Sequence, residues 1–580
     1  RLRAAFDHRH VFLDPDPDPA ASFAERQRLF ALPRSSWADY DPALISEGGG
    51  VFDRAAKSVA LSARMRALLD VEAERLTPAE LISAILRMRV DLLWFGGIGT
   101  YVKASDESHA EVGDRANEAV RVDGRALRAR VIGEGANLGL TQRGRVEAAL
   151  AGARLNTDAL DNSAGVECSD HEVNIKIALG EAVRSGSLAM AGRDALLEAM
   201  TDEVAGLVLR DNYQQSQAIS VAEAQAAAMI GAHGRMMRNL EAAGRLDRAV
   251  EFLPDREALA RRRAEGRGLT RPELCVLLAY AKIALSEDLQ ASDLPDDPLL
   301  EPELMLYFPK PLSADHAGAL RAHRLRREII ATKVVNSMIN RVGIAFVDDM
   351  NQRTGCSSPD ITRAYAVVRD VFRLREAWAA IEALDEALVA SAQTEMLIST
   401  QRLIEQATLW LLRNMRPPLD AVAAQARFAE GISALAESLS GLLPPGEGAA
   451  LAARAEALGG MGVPGELARR IAALDWLGAG FELVQLAERA EVGVGDSATV
   501  YFAAGERFGL AWLRSAIARL PRETAWQAAA AQALAEDVQT QQSELAASLL
   551  AAGQRGPALP ETWAARREVA IARLDRLFAE

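Results

Sequence analysis

Two asparagines follow segments of small residues and could bind a ligand that presents both hydrogen-bond donors and acceptors. Asn137 ends the segment Gly133-Glu134-Gly135-Ala136-Asn137, which follows a strand-like run and precedes a helix that Thr141 would cap. An asparagine amide donates and accepts at once, which suits a ribose hydroxyl or a carboxamide. The alternative interpretation of Asn137 is an ordinary turn residue.

The second asparagine, Asn162, lies in the segment Asp161-Asn162-Ser163-Ala164-Gly165-Val166-Glu167-Cys168-Ser169, directly before a predicted helix over 170–179. Small residues there would let the backbone pass close to a nicotinamide ring, with Asn162 binding the carboxamide. Ser169 would stand at the helix N-terminus, where the helix dipole favours an anionic substrate group. Ser169 could equally be the N-cap of that helix, and the two roles are compatible.

Two further positions follow strand-like runs. Asp7 follows the apolar run 2–6, and an acid after the second strand of a dinucleotide-binding fold can accept hydrogen bonds from the adenosine ribose, which favours NAD. Gly96 and Gly97 follow the run 90–95 and would let the backbone approach a ligand at the carboxyl edge of a parallel sheet. Simple turns are the alternative at both places, and Val102 occupies the third glycine position of a pyrophosphate fingerprint.

The elements that would position these residues change character along the chain. Up to about residue 176, strand-like runs alternate with helical periodicity, which predicts an α/β region with a parallel sheet. We predict strands at 2–6, 90–95, 129–132 and, more weakly, 154–156, with helices at 22–30, 58–74, 78–88 and 142–151. Beyond residue 176, Ala, Leu, Glu and Arg recur at helical spacing, which predicts an all-α region. Within that region, the helix-breaking segment Leu443-Pro444-Pro445-Gly446 predicts two helical packages divided near 440–450.

Composition narrows the function classes. The chain has 580 residues and a net charge of −14, which argues against a nucleic-acid partner because a polyanion would be repelled. No apolar run approaches the roughly 18–20 residues that cross a bilayer, so we expect no membrane partner and a cytoplasmic protein. The three cysteines are far apart and the histidines lack ligand spacing, so we expect neither disulfides nor a metal site.

Together, the segments 133–137 and 161–169 resemble the cofactor-domain motifs of glutamate dehydrogenases. Four further segments resemble the large, NAD-specific branch of that family. They are Phe-Asp-His-Arg-His at 6–10, Leu-Pro-Arg-Ser-Ser-Trp at 32–37, Gly-Gly-Ile-Gly-Thr-Tyr-Val-Lys-Ala at 96–104 and Ser-Asp-His-Glu-Val-Asn-Ile-Lys at 169–176. In that branch a long helical domain follows the catalytic part. Ser163-Ala164-Gly165 departs from the Ala-Gly-Gly of the smaller enzymes.

The resemblance implies an oxidoreductase of glutamate catabolism that converts L-glutamate and NAD to 2-oxoglutarate, ammonium and NADH, as a homo-oligomer when full length. It implies a partial Rossmann-like NAD-binding domain over 1–183, in which the first strand and the phosphate-binding glycines that follow that strand are missing. It also implies a helical C-terminal domain over 184–580. It implies the following contacts: Asp7 with the adenosine ribose, Gly96, Gly97, Asn137 and Asn162 with the cofactor, and Ser169 with the glutamate side-chain carboxylate.

No residue of this chain matches the catalytic lysine and aspartate of the family, which we expect upstream of Arg1, so the isolated chain is expected to be inactive. Two alternatives remain at this point. One is a dehydrogenase for another amino acid, which would place an apolar partner where Ser169 stands. The other is a non-catalytic Rossmann-like module that uses its helices as a scaffold.

Overall fold

The computed structural model describes residues 1–520 and 525–557, together with positions 563, 565, 568, 569, 572 and 573. The chain divides into two compact units. The first unit comprises residues 1–283 and 307–324, and the second comprises 284–306 and 325–580. Strands within the described residues lie in the first unit, whereas the described part of the second unit is helical.

The strands form several small sheets. They are β1 (Ala4–Phe6), β2 (His10–Leu13), β3 (Gly50–Asp53), β4 (Val59–Ala60), β5 (Arg75–Leu76), β6 (Leu92–Phe95), β7 (Val102–Lys103), β8 (Val122–Asp123) and β9 (Val131–Glu134). The pairs β6–β9 and β7–β8 are parallel, whereas β1–β2–β3 and β4–β5 are antiparallel. The prediction of an α/β region followed by helices is therefore confirmed, but several of its strands pair in the antiparallel sense.

The helices of the chain begin in the first unit and continue to the end of the described residues. They are α1 (Pro19–Ala31), α2 (Ala63–Leu69), α3 (Pro78–Leu86), α4 (His109–Val112), α5 (Gln142–Leu150), α6 (Asp158–Asp161), α7 (Ser163–Arg184), α8 (Arg193–Ala199), α9 (Thr201–Ala242), α10 (Arg256–Ala264), α11 (Arg271–Gln290), α12 (Glu301–Tyr307), α13 (Lys310–Asp315), α14 (Ala317–Arg321), α15 (Arg326–Val342), α16 (Phe346–Thr354), α17 (Ser358–Val371), α18 (Leu374–Glu382), α19 (Ala390–Asn414), α20 (Ala421–Leu442), α21 (Pro445–Gly460), α22 (Gly465–Leu477), α23 (Gly480–Ala490), α24 (Val494–Arg507), α25 (Leu510–Ala518) and α26 (Ala525–Ala551). The predicted boundary after residue 183 lies at the end of α7 and stays a prediction about domain organisation.

The first predicted strand exists, but it belongs to a hairpin rather than to a parallel sheet. The Asp7 carboxylate accepts hydrogen bonds from the backbone N–H groups of Arg9 and His10, both at 2.7 Å. An aspartate that binds the backbone just ahead of it stabilises a tight turn. The chain therefore reverses at once, and β2 pairs antiparallel with β1.

The predicted helix over 58–74 is wrong at both ends. The Ser62 hydroxyl accepts from the Met65 N–H and starts α2, and Asp70, with a left-handed backbone at φ 60°, ends it. The flanking residues pair as the short strands β4 and β5. A helical periodicity that contains its own start and stop residues thus produces one short helix between two strands.

The parallel pair β6–β9 is the element that positions the candidate site. Leu92 lies opposite Val131 and Phe95 opposite Glu134, so both strands end at the same edge. Arg154 bridges in parallel to Val131 on the far side of β9, where a weak strand was predicted. Beneath this edge, buried apolar residues form one core, including Val11, Leu81, Ile82, Phe95, Ile132 and Leu140.

The second unit is a helical assembly with an aromatic centre. Phe428 of α20 and Phe481 of α23 are buried, and their rings meet edge to face at 4.8 Å. The Trp410 ring of α19 stacks on Phe481 at 5.6 Å. Helices α20 and α23 approach closely because Gly480 faces Ile432, whose Cδ1 would lie 2.4 Å from any added Cβ.

Among the described residues, no single helix has both the length and the apolar composition to span a bilayer. The pair α15 and α16 meets those criteria only when the two helices are joined across a bend of 88°.

Candidate functional site

Three connections leave the same edge of the sheet. The loop 96–99, which we call the glycine loop, follows β6, and the loop 135–140 follows β9. The third connection follows Arg154 and consists of α6 and the junction residue Asn162, which begins α7. Since the carboxyl ends of parallel strands gather their loops at one edge, polar residues far apart in sequence are brought together there.

The two predicted asparagines meet at this edge. The Nδ2 group of Asn162 donates a hydrogen bond to Oδ1 of Asn137. We call these residues the asparagine pair. Their mutual bond uses one donor and one acceptor, which leaves the amide nitrogen of Asn137 and the amide oxygen of Asn162 to complement an incoming amide.

A buried ion network holds the loop that carries Asn137. The Glu134 carboxylate accepts two hydrogen bonds from Arg145 of α5, at 2.6 and 2.9 Å, and the Arg145 guanidinium also lies 3.0 Å from Asp158. The side chains of Glu134 and Arg145 are only 2% and 5% exposed, so each charge is stabilised by the other rather than by water. We call Glu134, Arg145 and Asp158 the carboxylate–arginine network.

The network also binds the backbone of the loop directly. Oε1 of Glu134 accepts from the Leu140 N–H at 3.1 Å, and Oδ2 of Asp158 accepts from the Leu138 N–H at 2.8 Å. Leu138 has a left-handed backbone at φ 60°, which is costly for a branched side chain and requires such support. One buried carboxylate, Glu134, and one partly buried carboxylate, Asp158, thus fix the loop just beyond Asn137.

Asp161 fixes the other asparagine. Its carboxylate accepts from the Glu134 N–H at 3.0 Å and from the Asn156 amide at 2.8 Å. Burial raises the pKa of the Asp161 carboxyl, against the lowering effect of these two hydrogen bonds. Because Asn162 is the next residue, its position is set by the anchor of Asp161 on β9.

Ser169 lies inside a helix, and the prediction that it caps one is wrong. Helix α7 begins at Ser163, with Asn162 as its N-cap, so Ser169 stands within the second turn and is exposed. The weakest helix former between them, Gly165, costs about 1 kcal/mol in a helix interior and does not prevent the earlier start. The predicted anion-favouring helix N-terminus is therefore at Ser163 rather than at Ser169.

Asn162 and Ser169 nevertheless share one face of α7. Seven positions correspond to about two helical turns, or roughly 10 Å along the axis. Val166 lies between them on this face and is 73% exposed, and Val173 lies beyond and is 51% exposed. The face thus presents an amide, an apolar side chain and a hydroxyl in succession.

The glycine loop lies beside the asparagine pair on the same edge. A Cβ added to Gly97 would meet nothing within 4 Å, so the backbone there is open to close approach. The residue of this loop that needs glycine for its backbone is Gly99, at φ 132°. Gly96 adjoins the Trp94 indole, 3.2 Å from an added Cβ.

Among the predicted site residues, Asp7 lies on a different sheet from the parallel strands β6 and β9. The structure places it in the β1–β2 turn, with its carboxylate on local backbone groups. Phe6 packs edge to face on Tyr101 at 5.5 Å, and the Tyr101 hydroxyl donates to the Ile98 carbonyl at 3.4 Å. Asp7 is therefore connected to the glycine loop through these two rings.

Two of the motif glycines serve packing rather than ligand approach. The Trp94 indole lies across Gly133 and Gly135, and an added Cβ would approach the ring to 2.7 and 2.2 Å respectively. Neither the role of Trp94 nor the carboxylate–arginine network was predicted from the sequence. The one signal for the network was a glutamate between two glycines directly after a strand, a position where an exposed turn acid would be the usual interpretation.

We predict that Glu134→Ala destabilises the loop 135–140 by about 3 kcal/mol, because Arg145 loses its buried partner. Hydrogen exchange of the Leu140 amide, which Glu134 binds, should accelerate by roughly 100-fold. Glu172→Ala, which breaks an exposed pair with Lys176 on α7, should change exchange little and serves as the control. Equal exchange rates in the two variants would contradict a supporting role for the network.

Comparison with known proteins finds two family models that match this chain. Residues 1–222 match the family model described as bacterial NAD-glutamate dehydrogenase, catalytic domain. Residues 266–580 match the model described as glutamate dehydrogenase, C-terminal. The two matches cover the asparagine pair and most of the helical region.

Three curated relatives carry the name NAD-specific glutamate dehydrogenase. The chain is 48% identical over 553 residues to the protein of Pseudomonas aeruginosa and 46% identical over 555 residues to that of Halomonas elongata, in each case over 95% of this chain and 34% of the relative. It is 42% identical over 583 residues to the Mycobacterium tuberculosis protein, over 99% of this chain and 36% of the relative. The chain thus spans about a third of the length of these relatives, and it belongs to the bacterial NAD-glutamate dehydrogenase family.

Proposed function

We propose that this chain supplies the nicotinamide side of the active site of an NAD-dependent glutamate dehydrogenase, which interconverts L-glutamate and 2-oxoglutarate. The observation that carries the proposal is the contact between Asn137 and Asn162 at the carboxyl edge of β6 and β9. The names of the relatives support NAD as the cofactor and glutamate as the substrate.

The parallel run formed by β6, β9 and the bridge at Arg154 is proposed to be part of a Rossmann-like dinucleotide-binding domain over 1–183. Such sheets bind their ligands beyond the carboxyl ends of the strands, where the glycine loop and the asparagine pair lie. The remaining residues, 184–580, are proposed to form the helical C-terminal domain.

The asparagine pair suits the nicotinamide carboxamide. A carboxamide presents an acceptor oxygen and a donor NH₂ group, and the pair retains the NH₂ group of Asn137 as donor and the amide oxygen of Asn162 as acceptor. The exposed Val166 side chain, one turn along α7, offers an apolar contact for the face of a flat ring. Bound NAD would accept hydride from the glutamate α-carbon, and these residues would fix the ring for that transfer.

Ser169 is proposed to donate a hydrogen bond to the side-chain carboxylate of glutamate. It lies on the same face of α7 as Asn162, roughly 10 Å along the axis, so a substrate beside the ring could extend toward it. Gly96 and Gly97 are proposed to let the backbone approach the cofactor, and Asp7 to bind the adenosine ribose through the carboxylate oxygen that its own turn leaves available.

The chain is proposed to be inactive without the other parts of the enzyme. It spans 34–36% of its curated relatives, and the proton-transfer lysine and aspartate of the family match no residue in its motifs. Its own residues would orient the ring and the substrate carboxylate, whereas proton transfer would depend on groups from outside this chain.

We predict that Asn137→Ala and Asn162→Ala each weaken NADH binding to the purified chain by about tenfold, the loss of one hydrogen bond worth about 1–1.5 kcal/mol. Isothermal titration calorimetry would measure the dissociation constants. Asn351→Ala, at an exposed position in the second unit, is the control and should bind as the wild type does. Wild-type affinity in both site variants would contradict the cofactor assignment.

Ser169→Ala in the full-length enzyme should raise KM for glutamate about tenfold through the loss of a hydrogen bond to a charged group. The KM for NAD should stay unchanged, because Ser169 is proposed to contact only the substrate. Ser185→Ala, at the far end of the same helix, is the matched control. An unchanged KM for glutamate, or a preference for apolar amino acids in the wild type, would contradict the substrate assignment.

The purified chain should show no glutamate-dependent reduction of NAD in a spectrophotometric assay at 340 nm, because the proton-transfer lysine and aspartate are proposed to lie outside this chain. Addition of the remaining part of the enzyme as a separate polypeptide should restore turnover if the two associate. Robust turnover by the chain alone would refute its proposed dependence on residues from outside.

A further inference from the structure

The first unit contains a pocket of about 370 Å³ that none of the proposed cofactor or substrate residues lines. Helix α5, residues 157–160, helix α9, residues 250–252 and helix α11 surround it. Its volume falls within the range of roughly 300–1,000 Å³ that is typical of small-molecule sites.

Most of the pocket surface is apolar. Leu160, Val276 and Leu278 contribute to its wall. At its rim, Val250 is 66% exposed and Phe252 is 48% exposed, so large apolar side chains face solvent there. Such a surface is costly in water and is stabilised when a ligand covers it.

The backbone at Phe252 holds this rim in a strained form. Its φ is 52°, in the left-handed region that bulky residues rarely adopt and that costs about 1–3 kcal/mol. The Arg143 guanidinium lies 5.9 Å from the Phe252 ring centroid and faces it. The surrounding structure thus holds the backbone of Phe252 in an unfavourable conformation and keeps its aromatic ring exposed beside the pocket.

One cation of the pocket is available for an anion. The Lys282 amine donates to the neutral amide oxygen of Gln215 at 3.2 Å, its hydrogen-bond partner in the described part of the chain. Burial lowers the pKa of Lys282 to about 8, against the raising effect of Asp211 and Glu167, so the amine is still mostly protonated at pH 7. The two carboxylates that act on this charge, Asp211 and Glu167, do not line the pocket, and the direct hydrogen-bond partner of the amine is neutral. A ligand carboxylate inside the pocket could therefore form a charge-assisted hydrogen bond with the ammonium.

The other charged groups of the wall already have partners. Arg145 and Asp158 pair with each other at 3.0 Å, and Glu251 accepts from the Tyr280 hydroxyl at 2.7 Å. Lys282 is therefore the wall group whose charge a ligand would complement. The remaining wall offers apolar contact.

We propose that this pocket binds a small organic carboxylic acid with an apolar body, whose carboxylate pairs with Lys282 and whose body packs against Leu160, Val276 and Phe252. No enzyme reaction is assigned to it. The ligand would be bound as an effector, at a place separate from the face formed by Asn162 and Ser169.

The pocket shares two residues with the carboxylate–arginine network. Arg145 and Asp158 line it, and the same two side chains bind Glu134 and the Leu138 N–H, which hold the loop of Asn137. A ligand that stabilises Arg145 and Asp158 would stabilise this loop and strengthen cofactor binding by linkage. This coupling rests on the proposed function, whereas binding of the carboxylate does not.

Calorimetry on the purified chain tests the binding claim with butyrate, 4-methylpentanoate and phenylacetate, each compared with its neutral amide. We expect at least one carboxylate to bind with a dissociation constant below about 10 mM, the range in which small fragments are detected, and at least tenfold more tightly than its amide. Lys282→Gln should abolish this preference, and Lys57→Gln, at an exposed position, should not.

A second variant guards against misfolding of Lys282→Gln. Ala279→Trp adds bulk at an exposed position of the pocket on α11 and leaves Lys282 in place, so it should weaken the carboxylate and the amide alike. Ser169→Ala should leave carboxylate binding unchanged, which separates this pocket from the substrate face. Absence of binding by all three carboxylates, or equal binding in wild type, Lys282→Gln and Ala279→Trp, would overturn the proposal.

The coupling is measured by titrating NADH with and without a saturating carboxylate. We expect NADH to bind several-fold more tightly in its presence and expect this gain to disappear in Lys282→Gln. If NADH fails to bind to the full-length enzyme while the carboxylate binds to it, the proposed cofactor site is wrong and the pocket stands. If NADH binds and no carboxylate does, the pocket is wrong and the cofactor site stands.

Discussion

The buried pairing of Glu134 with Arg145 is the interaction on which the candidate site depends. A carboxylate and a guanidinium removed from water are stable only together, so the end of β9 must face α5. Asp158 joins the pair and holds the Leu138 N–H, which fixes the loop after β9. The position of Asn137 follows from these charges rather than from its own contacts.

The same ion pair explains why the proposed cofactor site and the proposed carboxylate pocket would be coupled. Arg145 and Asp158 face the pocket on one side and bind the Asn137 loop on the other. Because hydrogen bonds in a buried network polarise one another, a ligand in the pocket would change the stability of the loop. The helical part of the first unit, through Lys282 of α11, would thereby influence chemistry at the sheet edge.

Local signals predicted local features. The strand–glycine–asparagine order of 133–137 and the small residues of 161–169 indicated Asn137 and Asn162 as candidate cofactor residues. Thr141 marked the start of α5, whereas Ser169 did not mark the start of α7. Pairing partners and tertiary ion pairs were not predictable, because they depend on residues distant in sequence. Asp7 shows the limit, since one side chain that binds two backbone groups turned an expected parallel strand into a hairpin. Arg145 shows it as well, because nothing local marks a helix arginine as the partner of a buried glutamate.

The most direct test of the account is side-chain amide NMR of the purified chain during titration with NADH, with Asn137→Ala and Asn162→Ala used to assign the two NH₂ pairs. The account predicts large, saturable shifts of the Asn137 and Asn162 amides and no shift of the Asn351 amide in the second unit. Saturable NADH binding that leaves both site amides unshifted would contradict the central claim that the asparagine pair contacts the nicotinamide.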